Sequence, residues 1–150
     1  MTFVFQKAAL ALANGTFGDL DGIDLRVALL MTNTNAVAVR KTATFMSDIT
    51  TLDEMDGANY ARQVLAGEAR THDSANDRIE LTADADVWVD LGAGTRSIAG
   101  AVVFRQVGAD SANPVLAWYD DGNFPLAATG LDFTVTWPAE GLLQIPCPLS

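Results

Sequence analysis

The sequence predicts an all-β fold, an antiparallel β-sandwich with a short N-terminal helix and one short helical turn. Two observations carry this. From Tyr60 onward the chain is a relay of short apolar runs, at 60–65, 78–81, 98–107, 114–119, 131–137 and 142–145, cut by Gly, Asp and Asn. Runs of that length between turn formers are strand signals. Several also alternate, as where Phe133, Val135 and Trp137 are interleaved with Asp132, Thr134 and Thr136, the period of a strand with one face buried. A chain of 150 residues, 49% hydrophobic, suffices for a buried core and is expected to form one domain, with residues 1–20 as a helical arm packing on the core or on a neighbour.

The elements follow in order. Residues 5–13 (FQKAALALA) predict the helix, since Phe5, Ala8, Ala9 and Leu12 fall on one face and Asn14-Gly15 provides a C-terminal stop. Too short to be stable alone, it either closes one end of the core or docks on another subunit. The Asp-rich turn 18–24 leads into the apolar strand 25–31. Residues 32–35 read as a turn and 36–44 as a further extended segment. Ser47, Asp48 and Ile49 suggest a helical turn with Ser47 as its N-cap. Residues 74–77 read as a hairpin loop, and 98–104 (IAGAVVF), the most apolar run, as a central strand.

Composition narrows the function. Formal net charge is −10, and nine scattered Lys and Arg make no basic stripe for phosphates, so no nucleic-acid partner is expected. The acidic balance suits a solvated surface or a basic protein partner. No apolar run reaches a membrane span, so no membrane partner is expected. The N-terminus lacks the pattern of a secretory signal, so synthesis and folding in a cytoplasm are expected.

Catalytic and ligand-binding signatures are sparse. Cys147 is the one cysteine and His72 the one histidine, so neither a disulfide nor a cysteine-based metal site is expected. Asp19, Asp21 and Asp24 invite a calcium reading but lack the order of an EF-hand loop, and Asp and Gly serve turns for backbone reasons. Gly92-Ala-Gly94-Thr95 is a turn rather than a nucleotide fingerprint. We therefore expect no catalytic, cofactor or metal residues. The aromatics carry more: Trp88, Trp118, Trp137, Tyr60, Tyr119 and Phe133 suit a core, and Trp and Tyr also favour interfaces. Trp118 and Tyr119, adjacent on one strand, point to opposite faces, so one turns away from the core, toward solvent, a loop or a partner.

The segment order resembles a family of small tailed-bacteriophage virion structural proteins. The similarity spans about residues 5–145. It runs through the strand following Asp21-Gly-Ile-Asp24, then Ser47-Asp48-Ile49, Gly57-Ala-Asn-Tyr60-Ala-Arg62, Leu81-Thr-Ala-Asp84 with Val87-Trp88, the strand 98–104, Pro114-Val-Leu-Ala-Trp-Tyr119-Asp120, and Phe133-Thr-Val-Thr-Trp137 with Glu140-Gly141. The 32–44 segment and the Pro146-Cys-Pro148 tail depart from it. The resemblance implies a capsid decoration (cement) protein, without enzymatic activity, on the outer capsid surface. Its partners would be the major capsid protein and copies of itself in a homotrimer, with Phe3, Phe5, Tyr60, Arg62, Trp88 and Trp118 as contact residues. A tail or fibre component, and a carbohydrate-binding or carbohydrate-processing β-domain, are the alternatives. The last would need an aromatic-floored, carboxylate-lined cleft.

Overall fold

The computed structural model describes residues 2–20, 22–122 and 124–146. Its centre is an antiparallel five-stranded sheet, built on the two most apolar runs of the chain. Strand β2 (Leu25–Met31) is buried at every position but Arg26. Strand β7 (Ile98–Arg105) is buried except at Ala99 and Arg105. A strand without polar alternation has no face to give to water, so both faces of this sheet must be covered. The two pair through Val27 opposite Val103, Ala28 opposite Val102 and Leu29 opposite Ala101. Strand β8 (Val115–Tyr119) adds to β7, and β1 (Phe3–Val4) adds to β8 with Phe3 opposite Trp118. On the far side β3 (Gln63–Val64) pairs with β2.

This register sorts the side chains. Val27, Leu29, Ala101, Val103, Ala117 and Tyr119 share one face; Ala28, Leu30, Val102, Phe104 and Trp118 share the other. Two smaller antiparallel sheets complete the β structure. One has the order β10 (Leu143–Pro146), β5 (Arg78–Thr82), β4 (Ala69–Asp73). The other pairs β6 (Asp86–Leu91) with β9 (Leu131–Val135). The second reaches the Tyr119 face through Trp137, whose ring meets Tyr119 edge-on at 5.4 Å. A single apolar core runs from Phe5 through both central strands to Leu143.

Helix α1 (Gln6–Ala13) begins after Phe5 and ends at Asn14, with Gly15 supplying the positive φ of the exit. Phe5 is fully buried and Ala8 nearly so. With β1 hydrogen-bonded into the chain's own sheet, the helix is seated on its own core at β8. The central-strand position of 98–104 and the hairpin loop at 74–77 agree with the sequence reading.

Three local readings are corrected. Residues 36–44 are not extended but coil through successive turns, with Ala38 and Val39 donating to Asn35 O and Ala43 to Val39 O. Thr34 Oγ1 accepts the Ala36 N–H at the start of the segment, an alternative to a strand ladder. The 3₁₀ turn is Met46–Asp48, so Ser47 lies inside it. Asp48 Oδ2 instead accepts the Thr44 and Phe45 N–H groups, at 2.8 and 2.9 Å. Of the 60–65 run only Gln63–Val64 pairs as strand. Trp118 and Tyr119 do point to opposite faces, and the loop takes the second: Tyr119 is half-buried with Phe124 edge-on at 6.2 Å.

Close packing of the Trp118 face requires Gly100. A Cβ there would stand 2.5 Å from Trp118 Cζ2 and 2.6 Å from Tyr119 O. Gly100→Ala is expected to lower unfolding free energy by about 1–3 kcal/mol. Gly108→Ala, whose nearest neighbour is at 4.0 Å, is expected to stay within about 0.5 kcal/mol. Urea denaturation checks both.

Candidate functional site

The densest polar cluster gathers on Arg62, which β3 and the preceding loop bring over β7. Its guanidinium donates to Glu54 through Nε and Nη2, at 2.8 and 2.7 Å, and to Asp110 through Nη1 and Nη2, at 2.6 and 2.9 Å. Both pairs are bidentate, the geometry in which an Arg–carboxylate contact is strongest. The guanidinium carbon also lies 5.1 Å from the centre of the Phe104 ring, an additional attraction. Hydrogen bonding to Arg62 holds Asp110 below the usual carboxylate range, and its two carboxylates push Arg62 further up.

The cluster extends inward. Tyr60 Oη donates to Glu54 Oε1 at 2.8 Å and accepts the Leu29 N–H at 3.1 Å. Burial first, and then Glu54, raise the Tyr60 phenol far above its ordinary value. On the other side fully buried Asn113 accepts the Val107 and Gly108 N–H groups and donates to Asp110. Four stretches distant in sequence are thereby tied together. With all three guanidinium nitrogens engaged, this cluster is a clasp rather than a ligand site.

The same loop closes onto the small sheet. Trp88 Nε1 donates to Ala61 O at 2.7 Å, and Gly92 N donates to Ala58 O at 2.9 Å. Gly57 is confined there, since a Cβ would fall 2.1 Å from Gly92 O. Thus Tyr60-Ala-Arg62 and the Trp88 segment, two parts of the sequence resemblance, meet in space.

A second buried group is Asp86, 6% exposed, at the start of β6. Its Oδ2 accepts the Trp137 Nε1–H at 3.0 Å. Burial pushes the carboxyl up to about 6; the Trp137 bond works against this, and nearby Glu68 adds to it.

The six residues named as contact candidates divide. Phe5, Trp88 and Trp118 are 0–1% exposed; their side chains belong to the chain's own core, and their assignment as contacts is revised accordingly. The sheet has cover on both faces, so an aromatic on either face finds protein rather than solvent. Trp118 supplies volume there, its Nε1 having no acceptor among the described residues. Tyr60 and Arg62 are half-buried in the clasp. Phe3, half-buried and edge-on to Phe5 at 5.3 Å, keeps part of its ring outside.

Glu54, Asp86, Asp110 and Asn113 were missed by sequence reasoning. Asp86 left one signal, its two-residue spacing from Trp88, which places both on the inner face of β6. Asp110, 48 positions from Arg62, left none. The Asp-rich turn is drawn into ion pairs, Asp24 with Arg26 and Asp19 with Arg70, at 2.9 and 2.8 Å; Asp21 lies outside the described residues. His72 is exposed on β4, and Cys147 also lies outside the described residues. Among the described residues no group of His, Cys, Asp or Glu is arranged to hold a metal ion.

The β6–β9 sheet exposes three apolar residues: Val87 at 43%, Val89 at 62% and Leu131 at 70%. β9 has no backbone partner on its outer edge among the described residues. A groove of about 220 Å³ follows that edge, lined by Thr134, Val135 and Thr136 on one side and by Tyr119, Phe124 and Leu126 on the other.

Arg62→Leu strands two carboxylates beside an apolar ring and is expected to cost about 1–3 kcal/mol by urea denaturation. Arg62→Lys should recover only part, because one ammonium cannot form two bidentate pairs. Asp86 acts in the opposite sense to a salt-bridged acid. Its carboxyl binds a proton more tightly folded than unfolded, so its contribution is full below about pH 4 and is lost as pH rises through about 6. Asp86→Asn keeps an acceptor for Trp137. It is expected to remove that decline and stabilise the fold at pH 7 by about 2–3 kcal/mol, read from denaturation midpoints across pH 4–8.

No family model, no curated protein and no solved structure matches the chain.

Proposed function

We propose that the protein is a structural component of a tailed-bacteriophage virion, a head decoration protein made in the bacterial cytoplasm. It binds the outer capsid surface as a homotrimer and bridges major capsid protein subunits. In this reading it is not an enzyme and engages neither nucleic acid nor membrane. The observation that carries the reading is the exposed apolar surface of the β6–β9 sheet. Val87, Val89 and Leu131 stand in water in a strand pair that carries no cation. Exposed apolar side chains on a sheet with open edges suit contact with other proteins. The sequence resemblance supplies the kind of partner.

The mechanism is additive. Each copy buries a modest area on adjacent subunits, and a trimer holding several at once converts later contacts into intramolecular ones. Phe3 remains a contact in this scheme. The apolar residues of β6 and β9 take the place of Phe5, Trp88 and Trp118.

Two measurements test the proposal. Quantitative mass spectrometry of purified virions is expected to find the chain at shell stoichiometry, and particles lacking it are expected to release their genome at lower temperature. A few copies per particle would instead place the protein in the tail.

A further inference from the structure

The outer edge of β9 combines features that separately mean little. Its backbone N–H and C=O groups on that side have no partner among the described residues. Such an edge is a template for another strand. The groove beside it is deep enough for side chains, with Tyr119, Phe124 and the 44% exposed Leu126 as its wall. The charge is one-sided: no Lys or Arg follows Arg105 in the sequence, and none lies between Arg78 and Arg96. Both strands of the β6–β9 sheet therefore contain acids and no Lys or Arg, with Asp132 on β9 and Asp90 on β6.

The geometry points to β9 as a strand-addition site that takes an extended, basic segment of a partner protein. Backbone hydrogen bonds along β9 supply affinity. Alternate apolar side chains of the guest settle against Tyr119, Phe124 and Leu126, and the intervening Lys or Arg side chains meet the acidic rim. A second copy of this chain fits poorly, because each brings a net charge of −10. A helix fits poorly because it brings no unpaired backbone to the edge. The inference rests on the decoration reading only for the source of the partner, which there is a basic arm of a capsid subunit.

The probe is a short synthetic peptide of alternating Val and Lys, titrated into the isotopically labelled full chain, with an alternating Val–Glu peptide as control. Expected are slowed amide exchange along β9 and an affinity that falls about tenfold when salt rises from about 0.05 to 0.5 M. The Val–Glu peptide should not bind. Leu126→Lys and Thr136→Lys, both at exposed positions, should each weaken the Val–Lys peptide about tenfold with thermal midpoints unchanged. Protection elsewhere on the chain, or equal binding of the acidic peptide, overturns the inference. So does a soluble glucan oligosaccharide that shifts Tyr119 and Phe124 signals while the basic peptide leaves β9 unprotected. Shell stoichiometry without β9 protection overturns this inference alone. β9 protection with few copies per virion overturns the decoration reading alone.

Discussion

The pairing of one guanidinium with two carboxylates holds together parts of this chain that have no regular structure to do it. Arg62 joins Glu54 and Asp110, each bidentately, above the Phe104 ring. Through Tyr60 the contact reaches the backbone of β2, and through Asn113 it fixes the 107–114 loop. An isolated surface ion pair would contribute little. Here the side chains are half-buried and mutually bonded, so removing any one leaves others desolvated without a partner.

That clasp matters because of how the central sheet is built. β2 and β7 are apolar on both sides and must be covered twice, yet the described residues supply only one short α-helix and two small sheets to do so. Much of the remaining cover is irregular. The turns of 36–44 and the 3₁₀ turn at Met46–Asp48 contribute Ala36, Ala43 and Met46 to the core. Asp48 holds that irregular backbone by accepting the Thr44 and Phe45 N–H groups, and Asn35, Asp53 and Asp56 pin other loops by accepting the Thr51, Asn33 and Thr95 N–H groups. The abundance of Asp and Asn reflects this work as much as solubility.

The acids also divide by role along the sequence. Several are consumed by Arg: Asp24 by Arg26, Glu54 and Asp110 by Arg62, and Asp53 by Arg96. Beyond Arg105 the sequence holds no Lys or Arg, and Asp110 there is paired from a distance by Arg62. Asp86, buried beside Trp137, answers to the same scarcity of cations, and its proton rather than a counter-ion relieves the burial. An acidic sheet with exposed valines and an open edge results.

The sequence by itself determined the class of fold and most of its strands, because these depend on local patterning. The continuous apolar run at 98–104 reads as a central strand, and the Phe133-Val135-Trp137 alternation reads as a strand with one face buried. It also determined the charge and the lack of familiar catalytic motifs. Local pattern misjudged 36–44, where small apolar residues look extended but side-chain hydrogen bonds turn the backbone. Which aromatics are buried, and what Arg62 touches, only the tertiary structure decided. Trp88 and Trp118 look like interface residues when the second covering layer is unknown. The partners of Arg62 lie eight and 48 positions away, and no periodicity relates them. Nor does the open edge of β9 leave a trace in the sequence, since whether a strand has one neighbour or two is settled by how the whole chain is wound.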